Sequence, residues 1–367
     1  MASRPSGTPA VSAGEPMAYF AGLLATGLRE VVDLTRFPDA LDSGWWAVLA
    51  TFEGVLIGYR FADVRRADRP GPAAAHWQGP DPGSWQSSLD RPQYLSGVRT
   101  IRNAIAQGRV YQVNLCRVLS APLPPGALPA ALAARLAAGN PAPYQGLLHT
   151  GAQWVVTASP ELFLSRTGDE VTSAPVKGTA PSGAPFLAKD VPENIMITDL
   201  VRNDLGRVAR PGSVVVTGLL AREEHPGLAH LVSTVRATLL PGTGWADLLT
   251  ATFPPGSVSG APKHTALQMI TELEPVPRGA YCGAIGYVDG DRRRAELAVG
   301  IRTFSTSGSG AGRRLHFGTG AGITYASVPE TEWAETELKA ARLIHLAQGS
   351  GPVSDAAGPV PAGGAAG

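Results

Sequence analysis

Glycine and proline break this chain so often that a long uninterrupted helix has nowhere to form. They number 44 and 32 among 367 residues, well above the usual shares of about 7% and 5%. A coiled coil and a helical solenoid are excluded, and no fixed repeat of about 20 to 50 residues occurs. Hydrophobic residues make up 44% of the chain and charged residues 17%, enough apolar mass for a core and too little charge for wholesale disorder. The length suits two or three domains or one large α/β unit. A net charge of +1 gives no reason to expect nucleic acid or a membrane surface as partner. Cys116 and Cys282 lack metal-type spacing and read as buried small hydrophobes in a reducing compartment. No secretory leader and no bilayer-length apolar run is evident, so the cytoplasm is the expected location.

Residues 1 to 16 and 348 to 367 are rich in Gly, Pro, Ala and Ser and read as disordered tails. Between them, residues 17 to 87 form an N-terminal lobe and residues 88 to 347 the main domain. Apolar spacing predicts helices over Ser88 to Gln107, Leu128 to Ala138, Pro192 to Val208, Lys263 to Leu273 and Pro329 to Ala347. Strand-like runs cover Trp45 to Thr51, Val55 to Phe61, Trp154 to Arg166 with a break at Ser159-Pro160, Ala280 to Val288, Ala295 to Phe304 and Arg314 to Phe317. This mixture predicts a layered α+β or mixed-sheet α/β fold.

Several residues could carry chemistry. No phosphate-loop or dinucleotide fingerprint is present, and Gly318 to Thr324 reads as a glycine-rich turn whose amides can meet a carboxylate. Asp190 lies three residues before Glu193 and Ser327 three before Glu330, so each pair can form a capping box. Glu332, Glu335 and Lys339 share one helical face, as an ordinary solvated pair would. The functional alternative has Glu193 and Glu335 holding a hard cation such as magnesium, with Lys339 and Arg302 binding the ligand's remaining negative charge. Lys177, in an apolar stretch, is either a snorkelling surface lysine or a desolvated, neutral nucleophile. In the second case, burial would also raise the pKa of Glu161 and make it a general acid. His230 sits alone on an apolar run and reads as a core histidine.

Together these segments resemble the chorismate-utilising enzymes, which include component I of aminodeoxychorismate synthase and of anthranilate synthase and the isochorismate synthases. The resemblance covers roughly Ser88 to Ala347. It rests on Gly108-Arg-Val-Tyr-Gln-Val-Asn-Leu-Cys116, Ser159-Pro-Glu-Leu-Phe163, Pro175-Val-Lys-Gly-Thr179, Glu193 to Arg207, Phe253 to Lys263, Arg278-Gly-Ala-Tyr-Cys-Gly283, Val299-Gly-Ile-Arg302 and Gly320-Ala-Gly-Ile323. It implies a two-sheet β core faced by helices, with the active site between them. It further implies Glu193 and Glu335 as magnesium ligands with Glu332 behind them. Arg302, Lys339, Tyr281 and the amides of Gly320, Ala321 and Gly322 become carboxylate contacts, with His230 and Lys263 near the ring.

Within the family, a lysine at position 177 resembles aminodeoxychorismate synthases, whereas anthranilate synthases usually carry a small residue there. The implied activity is conversion of chorismate and ammonia to 4-amino-4-deoxychorismate, on the route to 4-aminobenzoate and folate. Neither cysteine sits in a glutaminase-like context, so the implied ammonia source is a separate glutamine amidotransferase subunit. Alternatives are an anthranilate or isochorismate synthase, or a non-catalytic scaffold for an amidotransferase.

Overall fold

The computed structural model describes residues 14–70, 76–225 and 228–351. Among the described residues, eighteen strands hydrogen-bond into one network, which has two arms. One arm runs in spatial order through Gln112–Pro122, Arg314–Ile323, Thr303–Ser307, Trp154–Ser159, Tyr144–His149 and Met17–Phe20. The other runs through Trp45–Ala50, Ala284–Asp289, Arg294–Val299, Leu162–Thr167, Glu170–Ala174, Leu228–Thr238 and Val215–His225. The long strands Leu23–Asp33 and Leu56–Arg66 join them, so the N-terminal lobe is built into the same β structure. The fold class is the mixed α/β expected, with the two sheets continuous at this join.

Strands buried on both faces read as unbroken apolar runs. Trp45–Ala50 is of this kind, Trp154–Ser159 is buried throughout although it includes Thr157 and Ser159, and Trp46 and Trp154 are among the largest fully buried side chains. The described residues include six α-helices: α1 (Arg91–Ala106), α2 (Pro129–Gly139), α3 (Asp190–Gly206), α4 (Trp245–Thr252), α5 (Lys263–Leu273) and α6 (Pro329–Ala347). Helices α1, α5 and α6 lie over the first arm and α3 over Leu228–Thr238. None of the described helices is long and apolar enough to cross a membrane.

Two crossings lead directly from a strand of one arm to a strand of the other, and both matter. Between Trp154–Ser159 and Leu162–Thr167 it turns at Pro160-Glu161. Between Arg294–Val299 and Thr303–Ser307 it turns at Gly300-Ile301-Arg302. The crossings lie side by side, because Ala158 N–H donates to the Arg302 carbonyl and Val299 N–H to that of Glu161. The run Ala295 to Phe304, expected as one strand, is therefore two. Arg302 takes φ +51 at this fork, a left-handed conformation rare for a non-glycine residue.

Other expectations are corrected. Gly318 to Thr324 is not a turn, since Gly318–Ile323 continue a strand paired with Gln112–Pro122. Neither expected capping box forms: the carboxylate of Asp190 accepts from Leu187 N–H, and the Ser327 hydroxyl accepts from Thr324 N–H. Asp90 and Gln93 make a capping box on α1 instead. Most of the expected tails, residues 1–13 and 352–367, lies outside the described residues. Residues 348–351 are not tail: Ser350–Gly351 pairs with Trp77–Gln78, and the Trp77 indole donates to the Ala347 carbonyl.

Candidate active site

The candidate residues come from strands of both arms, from the crossings and from helices α3, α5 and α6. Lys177 enters on Val176–Pro181, where Gly178 at φ +91 bends the strand against Asp190. Its Nζ lies 2.8 Å from Oε1 of Glu193, on the first turn of α3. The same oxygen accepts from Gln112 Nε2 at 2.6 Å. Glu161, at the crossing, is 3% exposed and accepts a hydrogen bond from the Ser257 hydroxyl. A cavity of ≈ 20 Å³ adjoins it, lined also by Ser257, Asp204 and Thr252, room for about one water.

Burial pushes Glu161 up to about 7, against the opposing pull of Ser257, Lys177, the Val176 amide and Lys339. Lys177 goes the other way from the sequence expectation. Burial does disfavour its ammonium, but the Glu193 carboxylate, helped by Glu161 and Glu335, outweighs burial and raises the pKa above its ordinary value. In this arrangement Lys177 is a charged partner of Glu193, not a free amine, because an opposite charge in hydrogen-bond contact stabilises the proton.

A second set stands on the first turns of α6. Glu335 pairs with Lys339 at 2.8 Å and with Lys189 at 3.0 Å, and Lys189 also reaches Glu332 at 3.2 Å. Lys339 donates to the Gly320 carbonyl. Burial acts to raise Glu335, but Lys339 and Lys189 dominate and hold it down to about 2. Burial raises Glu332, which Lys189 only partly offsets.

Of the remaining candidates, Arg302 and His230 meet: guanidinium Nη2 is 3.3 Å from His230 Nε2, and Thr179 Oγ1 is 3.1 Å from Nδ1. Burial lowers the Arg302 pKa to about 10, as expected for a cation in a dry cleft. His230 is buried, as its apolar context predicts, but its ring faces the site arginine. Among the described residues, the strand carrying Gly320, Ala321 and Gly322 is paired beyond Phe317 only on the Gln112–Pro122 side. A Cβ at Gly322 would collide with Gln112 and Glu193, and one at Gly318 with the Tyr281 ring. Lys263 is bound to Asp204 at 2.8 Å and to the Thr252 carbonyl. Both cysteines are buried and unbridged.

The profile of the chorismate binding enzyme family matches residues 60–345. The chain belongs to this family. It is 39% identical over 292 residues to anthranilate synthase component 1 of Thermus thermophilus, covering 76% of this chain and 62% of that protein. It is 38% identical over 276 residues to aminodeoxychorismate synthase component 1 of Salmonella typhimurium, covering 71% and 59%. It thus spans about three-fifths of the length of these relatives. A 2,3-dihydroxybenzoate-specific isochorismate synthase of Bacillus anthracis shares the fold at TM-score 0.74 and 23% identity, covering 91% of this chain and 96% of that one. Anthranilate synthase component I of Streptococcus pneumoniae does so at 0.73 and 23%, covering 94% and 93%.

For a chorismate-binding fold, the question of a cation turns on the donors present. Among the described residues no three His, Cys, Asp or Glu side chains converge into a cage, and lysines neutralise each proposed carboxylate. Magnesium, however, usually takes one or two carboxylates and fills its shell with water and substrate oxygens. Glu193, packed against Gly322, and Glu335, beside Glu332, are carboxylates of that kind, so the donor types suit such an ion. Sequence reading passed over Gln112, Ser257 and Lys189. The first two lie inside recognised motifs, but Lys189 has no local signal: its role depends on α6, more than a hundred residues away.

Proposed function

We propose that this protein is the chorismate-aminating component of an aminodeoxychorismate synthase. What carries the reading is Lys177, a largely buried primary amine near the acid Glu161 and paired with the carboxylate Glu193. Arg302, Lys339 and the open strand edge at Gly320 to Gly322 bind the substrate carboxylates. Glu193 and Glu335 would hold a magnesium ion, which when bound would supply further positive charge there. Attack requires the free amine, so the Lys177–Glu193 pair is a resting arrangement that opens on substrate binding, when the ammonium releases its proton to solvent.

The amine of Lys177 then bonds to C2 as the C4–oxygen bond breaks, and protonated Glu161 gives its proton to the departing hydroxyl, which leaves as water. Ammonia bonds to C4 while the C2–nitrogen bond breaks, returning the Lys177 amine. The new ammonium loses a proton to the Glu161 carboxylate, which restores the acid. Relatives are named as component 1, and we assign the second component as a glutamine amidotransferase that supplies ammonia.

The similarity to an anthranilate synthase component favours a second reading, amination at C2 with Lys177 a bystander. Incubation with chorismate, magnesium and ammonium, followed by 4-amino-4-deoxychorismate lyase, separates the two. The expected product is 4-aminobenzoate. Anthranilate as the sole amino product overturns the proposal, and no turnover at all favours a scaffold.

A further inference from the structure

To act as an acid, Glu161 needs its proton on the oxygen that meets the leaving group, and one of its two oxygens is already engaged. Ser257 Oγ donates to Oε1 of Glu161. Both residues are shut from solvent, at 5% and 3% exposure. Ser257 sits in the short 3-10 turn Gly256–Val258, and that turn is held on both sides. Val258 N–H and the Ser259 hydroxyl donate to the Pro255 carbonyl, and the Arg278 guanidinium donates to the Val258 carbonyl at 2.8 Å. The donor is therefore in place before substrate arrives, as a preorganised group must be.

Other groups act on Glu161 less selectively. Burial raises it, and Ser257 is the largest of the influences that oppose burial, ahead of Lys177, the Val176 amide and Lys339. Asp204 of α3 lines the same small cavity, and its charge is matched by Lys263 of α5. A nearby cation attracts the whole carboxylate, whereas a hydrogen bond in contact acts on one oxygen.

We propose that Ser257 is the positioning residue of this acid: its hydroxyl reserves Oε1 as an acceptor and leaves the proton on Oε2, the oxygen that delivers it to the departing hydroxyl. The assignment rests on the amination reading and deepens it. A proton on Oε1 would point at the Ser257 hydrogen, while a proton on Oε2 leaves the Ser257 bond intact. The same donor serves the return step, because it stabilises the carboxylate that takes a proton from the new ammonium.

The test is kcat against pH for the full chain at saturating chorismate, magnesium and ammonium, with stopped samples brought to one pH before the lyase is added. Ser257→Ala removes the donor. Ser257→Thr keeps it, and the adjoining cavity of ≈ 20 Å³ can take the extra methyl. Ser257→Cys nearly keeps the volume but is a weaker donor, and it carries the test if the alanine variant does not fold, as judged by circular dichroism and thermal melting. In Ser257→Ala, kcat is expected to fall about tenfold with the chorismate KM within about twofold. The alkaline limb should move up by about one pH unit, because losing a donor disfavours the carboxylate. Threonine restores both and cysteine falls between. In a Glu161→Gln background, Ser257→Ala should cost less than about threefold more, since both changes disable one unit. A limb that stays in place in the folded variants, or a full tenfold loss that persists in the Glu161→Gln background, overturns the positioning role while leaving amination standing. Failure of the wild type to aminate chorismate sinks both.

Discussion

Glu161 and Glu335 are the same residue type in one cleft, and their surroundings drive them apart. Glu161 sits at the crossing between the arms, where burial outweighs every cation and lifts it to about 7. Glu335 stands on the surface-facing turn of α6, where Lys339 and Lys189 overcome partial burial and hold it near 2. One carboxyl keeps a proton to give near neutral pH, and the other keeps a negative charge to bind with. Which wins, desolvation or Coulomb attraction, decides the role. The lysines divide similarly, since Lys177 is 12% exposed in the inner set and Lys339 is 46% exposed in the outer one.

The sharpest way to break this contrast is to remove the inner amine. Lys177→Ala is expected to lower chorismate amination by about 10³-fold or more, measured as 4-aminobenzoate in the coupled assay. It also strands Glu193, so the melting temperature should fall, a buried pair losing one partner typically costing about 3–5 kcal/mol. Near-normal turnover would show that no covalent step occurs. Next, Glu161→Gln is expected to cost about 10²-fold in kcat and to erase the decline in wild-type activity as pH rises through about 7, where Glu161 loses its proton. A mutant that retains that limb would assign it elsewhere.

Smaller effects belong to the outer set. Lys339→Met is expected to raise the chorismate KM up to about tenfold with little change in kcat, because a half-exposed cation contributes modestly. A kcat effect larger than the KM effect would move Lys339 into the chemistry. The smallest signal is in stability against pH, and the two carboxyls should have opposite signs. Glu161, raised from 4.5 to about 7, favours the folded state at low pH and loses that contribution as pH rises between those values. Glu335, lowered from 4.5 to about 2, contributes above 4.5 and loses it as pH falls toward 2. Urea melts of Glu161→Gln and Glu335→Gln should flatten the neutral and the acid slopes respectively; the reverse pattern would refute the contrast.

Local signals reached far into this structure. Helix α5 spans the residues its apolar spacing predicts, and α3 and α6 differ by a few residues at most, because propensity and proline entry act within a turn or two. The break at Gly300 to Arg302 was not legible, since an apolar run continues through it and only the neighbouring crossing at Glu161 forces the chain to change arms. Gly320 to Gly322 looked like a turn for a related reason. There the glycines permit close approach by Cys116, Gln112 and Glu193 across a straight strand, a demand invisible from the segment itself.

Residue order alone settled which side chains were available: the amine at 177, the acids at 161, 193 and 335, the motifs that place the chain among chorismate-binding proteins, and most helices. Tertiary structure decided the pairings and the charges. It set Glu193 against Lys177, drew Lys189 onto α6, and packed Gln112 and Glu193 over Gly322. The reason is physical: helices follow from neighbours in the chain, whereas a proton's affinity depends on solvent exclusion and on charges that only folding brings within a few ångströms.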